Sequence, residues 1–339
     1  MKIVVDAYGS DKGESVMAEG CVLATNEDKT LTTVIVGDCD IINAELEKYK
    51  YDKKRVIVYD AKGKISNHDV PTEAIRQKKG SSLVKALELT KEDDEVGGLV
   101  SSGSTGAVLT GALLKLGRIK GISRPALCPL LPTLDGDKKV ALVDCGANMD
   151  CRPEYLAHFA LMGSAYMKTM GVEDPRVALV CVGDEDKKGN ELTHEAFKML
   201  KDKPINFVGN MEARYALSGK YDVLVCDGFV GNVLLKSIEG TALMVMKKVK
   251  EAIYSSFWAK IGGLFMKKQF KELKETMDYS NNGGAVFLGV KKVVVKGHGA
   301  STATSVKNCI LQAKSLAERK LVENIDSKLK ELGLSENNA

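Results

Sequence analysis

Several chemistries are excluded by what this sequence lacks. Its eight cysteines, Cys21, Cys39, Cys128, Cys145, Cys151, Cys181, Cys226 and Cys309, contain no C-x-x-C pair, and several lie inside apolar runs such as 177–181. A disulfide scaffold or a thiolate metal site needs clustered spacing, so these thiols read as reduced, packed groups in a cytoplasmic protein. The four histidines, His68, His158, His194 and His298, show no zinc spacing, and no metal is expected. No G-x-x-x-x-G-K-[ST], G-x-G-x-x-G or G-x-S-x-G pattern occurs, which argues against P-loop hydrolysis, a standard dinucleotide site and a serine nucleophile elbow. A strong charge of one sign is missing too: 49 basic against 45 acidic residues leave a formal +4, too little to suggest nucleic acid as a partner.

Long apolar runs are also scarce. The opening Met1–Asp6 stretch is too short for a signal peptide. The uncharged run from Val96 to Leu114 approaches membrane-spanning length, but Gly97, Gly98, Gly103, Gly106 and Gly111 interrupt it, so it reads as strand, loop and helix. No linker rich in Pro, Ser or Gly and no internal repeat divides the chain. One large α/β unit is expected over 1–334, with a frayed tail at 335–339.

What the sequence does contain is material for a core: 44% of its 339 residues are hydrophobic and 28% charged. β-Branched runs at 2–6, 32–37, 54–60, 96–101, 138–144, 176–183, 205–209, 221–227 and 292–297 alternate with helix-period stretches at 104–116, 153–170, 190–200 and 233–253. Such alternation predicts an α/β fold of βαβ units around a mostly parallel sheet. Consecutive apolar residues, as in Val140-Ala141-Leu142-Val143, predict strands covered on both faces. One or two further helices are expected between Ser301 and Leu332.

Ligands of parallel sheets gather beyond the carboxyl ends of strands. Six predicted strand ends run into small or charged loops: Asp6–Asp11, Ser101–Gly106, Asp144–Asp150, Gly183–Glu191, Asp227–Asn232 and Lys296–Ser301. Turn and cap chemistry explains any one of them. Six at one sheet edge suggest a pocket, and Ser102-Gly103-Ser104-Thr105-Gly106 before an apolar helix suits an anion such as phosphate. The loop entering the tail helix, with His298, Gly299 and Ser301, has the same logic.

These loops resemble those of bacterial phosphate acyltransferases of phospholipid synthesis. The resemblance runs from Asp6-Ala7-x-Gly9 to Lys314. It is most specific at Gly117-Arg118-Ile119-Lys120-Gly121 with Arg124-Pro125-Ala126, at Asp144-x-Gly146-Ala147-Asn148-x-Asp150, and at Lys188-Gly189-Asn190-Glu191-Leu192-Thr193. Asn206-Phe207-x-Gly209-Asn210-x-Glu212, Val225-Cys226-Asp227-Gly228-Phe229-x-Gly231-Asn232, Asp278-Tyr279-Ser280-x-x-Gly283-Gly284-Ala285 and His298-Gly299 complete it. The chain departs from the family pattern at Tyr8 and Ser10, at Ser104 where Asn is usual, and at Gly297.

The resemblance implies a three-layer α/β/α fold similar to those of phosphotransacetylases and isopropylmalate dehydrogenases, a homodimer, and no metal or organic cofactor. It also implies transfer of a long fatty acyl chain from acyl carrier protein to inorganic phosphate, ahead of a glycerol-phosphate acyltransferase. Such a reaction needs held phosphate and a stabilised oxyanion more than a triad. Lys188 and Asn232 are therefore expected to stabilise charge, and His298 to protonate the leaving thiolate. Ser102, Gly103, Ser104, Thr105, Gly106, Asn148, Asn190, Gly228, Gly231, Gly299 and Ser301 are expected to bind phosphate or the acyl group. Asp6, Asp144, Asp150 and Asp227 are expected to orient these donors. Transfer from acyl-CoA, a dehydrogenase on the related fold, and a non-catalytic scaffold for lipid synthesis are the alternatives.

A basic amphipathic segment at 244–274 stands apart. It holds Lys250, Phe257, Trp258 (the only tryptophan), Ile261 and Lys267, a composition suited to an anionic membrane surface, to acidic carrier protein, or to dimer packing. Gly262-Gly263 is expected to break it into two helices. The enzyme is placed in the cytoplasm, peripheral to the inner face of the membrane.

Overall fold

The computed structural model describes residues 1–10, 13–136, 138–277 and 283–332. The Asp278-Tyr279-Ser280 motif, Asp11 and the tail at 335–339 lie outside them. The strands are β1 (Lys2–Asp6), β2 (Thr32–Gly37), β3 (Val56–Asp60), β4 (Val96–Ser101), β5 (Ala126–Cys128), β6 (Leu130–Pro132), β7 (Lys139–Val143), β8 (Val177–Cys181), β9 (Phe207–Glu212), β10 (Val223–Val225), β11 (Ala285–Leu288) and β12 (Val293–Lys296). The helices are α1 (Glu14–Glu27), α2 (Cys39–Leu46), α3 (Pro71–Gln77), α4 (Ser82–Glu92), α5 (Thr105–Gly111), α6 (Pro153–Thr169), α7 (Glu191–Lys201), α8 (Gly228–Tyr254), α9 (Phe257–Phe265), α10 (Lys267–Met277), α11 (Ala303–Glu318) and α12 (Leu321–Glu331).

Helices and parallel-dominated sheets alternate as predicted, but the strands divide between two sheets. One has the order β3-β2-β1-β4-β12-β11-β5 and the other β6-β7-β10-β8-β9. Antiparallel pairing is confined to β12-β11-β5 in the first sheet and β6-β7 in the second. β5 and β6 are separated only by Pro129, and there the chain passes from one sheet to the other. The pass is fastened by Leu142 N donating to Pro129 O (3.1 Å) and Cys145 N to Leu127 O (3.0 Å). Neither strand was predicted: each is three residues long, and Pro125, Pro129 and Pro132 punctuate the run. β6 tolerates Pro132 because it is an edge strand.

The central strands are apolar on consecutive residues because both faces are covered. Val140, Ala141, Leu142 and Val143 are all fully buried. α6 supplies the largest core side chains, Tyr166 and Phe159. β9 extends three residues beyond its predicted end at Gly209, which takes φ +99° where the β8–β9 register shifts.

The basic segment differs from expectation in where it breaks. Ser255–Ser256 and Met266 separate α8, α9 and α10, while Gly262-Gly263 lies inside α9. A Cβ on Gly263 would stand 2.4 Å from Ile253 Cγ2, so this glycine lets α9 fold back on α8. α8 is long and apolar enough to cross a bilayer, yet it carries Lys236, Glu239, Lys247, Lys248, Lys250 and Glu251, a costly set to bury in lipid. Its Val233, Leu243, Met244 and Val245 are exposed within the chain.

Candidate active site

The loops after β1, β4 and β12 meet at one rim. Ser10 Oγ donates to Gly299 O (3.4 Å) and Gly297 N to Ser101 O (2.9 Å). Asp6 is buried at the end of β1 and accepts from Ser82 Oγ (2.5 Å), Ser101 Oγ (2.7 Å) and Tyr8 N (3.3 Å). Burial pushes its carboxyl up to about 6, against the pull of those donors and of the Lys296 charge. Ser102 is 3% exposed, with its hydroxyl turned to Met17 Sδ at 4.0 Å. Gly103 is likewise buried, its N–H donated to Ser101 Oγ (3.1 Å).

A second rim belongs to the other sheet. Asp144, also buried, organises the loop after β7. It accepts from Leu127 N (2.8 Å), Cys145 N (2.6 Å), Ala147 N (3.1 Å), Asn148 N (2.6 Å) and Asn148 Nδ2 (3.0 Å). Burial raises its carboxyl even so. α8 starts directly on this knot, with Asp227 Oδ1 capping Val230 N (2.8 Å) and Gly228 N donating to Asn148 O (2.7 Å). Asn232 Cγ and Nδ2 are 3.8 Å from where a Cβ would stand on Gly146.

Between the two rims lies a cavity of about 150 Å³, open to solvent and lined by Thr105, Asn232, Lys296, His298, Ser301 and Ser305. Leu127, Pro129, Leu130 and Leu235 give it an apolar wall, and Lys236 is paired with Glu239 (2.8 Å) at its margin. The start of α11 faces the cavity through Ser301 and Ser305, so the positive end of a 16-residue helix points at it. His298 Nδ1 accepts from Ala300 N (3.2 Å). That bond places the proton of the neutral ring on Nε2, a donor. Cys145 also lines the cavity, but burial pushes its thiol up to about 12, so it is no thiolate nucleophile.

The predicted site residues thus sort by position. Asn232, His298, Ser301 and Thr105 share the cavity. Asp6, Asp144 and Asp227 bind backbone and hydroxyl donors, and Asp150 is exposed. The Asn148 amide is committed to Asp144 and to Pro125 O (2.8 Å), and Asn190 caps α7 by accepting from Thr193 N (3.0 Å). Gly228 and Gly231 allow α8 to approach the Asp144 loop. Ser104 and Gly106 flank Thr105 without lining the cavity, and Gly299 accepts from Ser10. Lys188 does not line the cavity: its side chain is 54% exposed, with Nζ 4.0 Å from Glu185 Oε1.

Lys296 was not predicted. It closes β12 after three buried valines, and its Nζ is held by the carbonyls of Ser102 (3.4 Å) and Gly297. A lone lysine ending an apolar parallel strand was the available signal. The apolar wall from β5–β6 gave none.

A model of the family described as fatty acid synthesis protein matches residues 1–324. A phosphate acyltransferase of Clostridium novyi (strain NT) is 46% identical over 332 residues, covering 98% of this chain and 99% of that protein. Another, of Clostridium perfringens (strain SM101 / Type A), is 47% identical over 331 residues and 97% of each. Among solved structures, a phosphotransacetylase from Streptococcus pyogenes superposes with a TM-score of 0.61 at 16% identity, over 95% of this chain and 94% of that one. That likeness is one of fold.

Proposed function

The chain belongs to the fatty acid synthesis protein family, and on that premise we propose that it moves a long-chain fatty acyl group from acyl carrier protein to inorganic phosphate, supplying acyl phosphate for phosphatidic acid synthesis. The observation that carries this reading is the shared cavity, where Lys296, Asn232 and His298 stand beside an apolar wall. Hydrogenphosphate attacks the thioester carbon, and the C–S bond breaks as the tetrahedral oxyanion collapses. The proton of hydrogenphosphate ends on the departing thiol, which leaves acyl phosphate as a dianion, so charge and atoms balance without an external acid. His298 then acts as a hydrogen-bond donor through Nε2, since its Nδ1 is already engaged. Lys296 and the start of α11 hold phosphate, and Asn232 donates to the oxyanion.

Mixing the protein with acyl carrier thioester and phosphate should give acyl phosphate by mass spectrometry and phosphate-dependent release of carrier thiol. Faster reaction with acyl-CoA at equal concentration would make coenzyme A the donor. No product from either would leave the scaffold reading.

We also propose that the enzyme works in the cytoplasm as a homodimer joined through the exposed face of α8, with α9 resting on an anionic membrane. Trp258 (78% exposed) and Phe265 (83% exposed) project from α9 beside Lys260, Lys267 and Lys268, the pattern of an interfacial helix. Trp258→Glu with Phe265→Glu should abolish flotation with phosphatidylglycerol vesicles while light scattering still finds a dimer. Undiminished flotation would remove the membrane assignment, and dissociation to monomers would assign the tip to packing.

A further inference from the structure

The segment 117–125, between the end of α5 and β5, forms a second and more open cleft. Arg118, Lys120 and Arg124 line it together with Leu113, Ile122 and Tyr155, and no acidic side chain does. All three cations are exposed. Among the described residues none has a carboxylate within ion-pair distance, whereas nearby Lys85 and Lys115 both pair with Glu88 (2.9 and 2.8 Å).

Three like charges within seven residues repel one another, and the backbone that holds them is well fastened. Ile119 N donates to Gly289 O (3.0 Å), Lys291 N to Gly117 O (3.1 Å) and Ile122 N to Ile119 O (3.2 Å). Gly117 and Gly121 take φ values of +86° and +89°, turns that suit glycine. The cleft is therefore a preformed electropositive surface lacking its counter-charge. Arg118 also donates to Ser123 O.

Its position ties it to the cavity. Asn148 Nδ2 bridges Pro125 O, in the cleft, to Asp144, whose loop carries Cys145 into the cavity wall. Leu127, three residues after Arg124, lines the cavity itself, and three extended residues span at most about 10 Å. The cleft is open, its cations are solvated, and no buried donors converge on a point, which does not suit capture of a small ion. Spaced cations around Tyr155, Leu113 and Ile122 suit a protein surface, where arginine and tyrosine are favoured contacts.

Resting on the acyl-transfer reading above, we infer that Arg118, Lys120 and Arg124 form the docking surface for the acidic carrier protein that delivers the thioester. The pair Lys120→Glu and Arg124→Glu tests this, since neither side chain makes a hydrogen bond among the described residues. With acyl carrier thioester, the double variant should raise KM at least tenfold and flatten its dependence on salt. With acyl-pantetheine, which lacks both carrier and phosphate, kcat/KM should stay within twofold, which also shows that the variant is folded. Acyl-phosphopantetheine should behave like acyl-pantetheine. An unchanged KM for carrier thioester would overturn the proposal, as would an equal loss with acyl-pantetheine. If acyl-phosphopantetheine loses as much as the carrier thioester, the cleft reads the arm's phosphate, and the protein surface is excluded. Wild-type enzyme that uses acyl-pantetheine but not carrier thioester would sink the donor assignment itself, together with the docking surface.

Discussion

Lys296→Met is expected to lower kcat/KM for acyl transfer about 100- to 1,000-fold, the scale seen when one preorganised charge-stabilising donor is removed. The size follows from where the ammonium sits. Two carbonyls fix it at the end of β12, the Asp6 carboxyl lies close enough to feel its charge, and the cavity around it is partly apolar. In such surroundings a charge acts far more strongly than in open water. Lys296→Arg should retain part of the activity because the charge remains. Lys188→Ala is the comparison: with its side chain 54% exposed and outside the cavity, it should cost less than about tenfold, since surface charges are screened. Thermal denaturation of each variant separates loss of chemistry from loss of fold. The assignment fails if Lys296→Met turns over like wild type, or if Lys188→Ala loses as much.

Gly231→Ala should unfold the second rim at a lower temperature and carry Asn232 out of place. Alanine in a helix interior is ordinarily favoured over glycine by about 1 kcal/mol, yet here the sign reverses. A Cβ at 231 would stand 1.9 Å from Asp144 O and 3.0 Å from Cys226 Sγ. The carbonyl belongs to a loop tied by the buried Asp144 side chain, so α8 must move instead. Overpacking of this kind costs about 1–3 kcal/mol. Gly240→Ala lies in the same helix with nothing within 4 Å of its added carbon, and should stabilise by about 0.5–1 kcal/mol. Opposite shifts in Tm confirm the close approach, and a neutral Gly231→Ala would refute it. Turnover of Gly231→Ala should fall at least tenfold, because Asn232 is the next residue.

The legible parts of the fold were those set by local pattern. β1, β2 and β4 have their predicted limits because each is a short apolar run closed by Asp, Gly or Ser, β-branched in β1 and β2 and interrupted by Gly97 and Gly98 in β4. α6 and α7 begin within one residue of prediction, one at Pro153 and the other after the Asn190 cap. The division into two sheets was not legible, because it depends on β5, β6 and β11, which are short and bounded by proline or glycine. That division also changed the site. Loops expected along one sheet edge instead face each other across a gap, and the loop holding Lys188, at the same edge of the second sheet as the Asp144 and Asp227 loops, contributes no side chain to the cavity lining. Asn148, Asn190 and Asp227 carry the residue types of a binding site but are occupied with capping and loop closure. Only partners in space separate those two uses. Lys296 went unassigned for the opposite reason: its local context is an ordinary strand end, and the Ser102 carbonyl that holds its Nζ comes from a loop 194 residues away.

The two passages of chain between the sheets have a mechanical consequence. The outward one, at Pro129, and the described end of the return, at Gly283 and Gly284, both border the cavity. The cavity mouth is therefore framed by the same straps that join the two halves. Width of that mouth and tilt of one half against the other are a single variable.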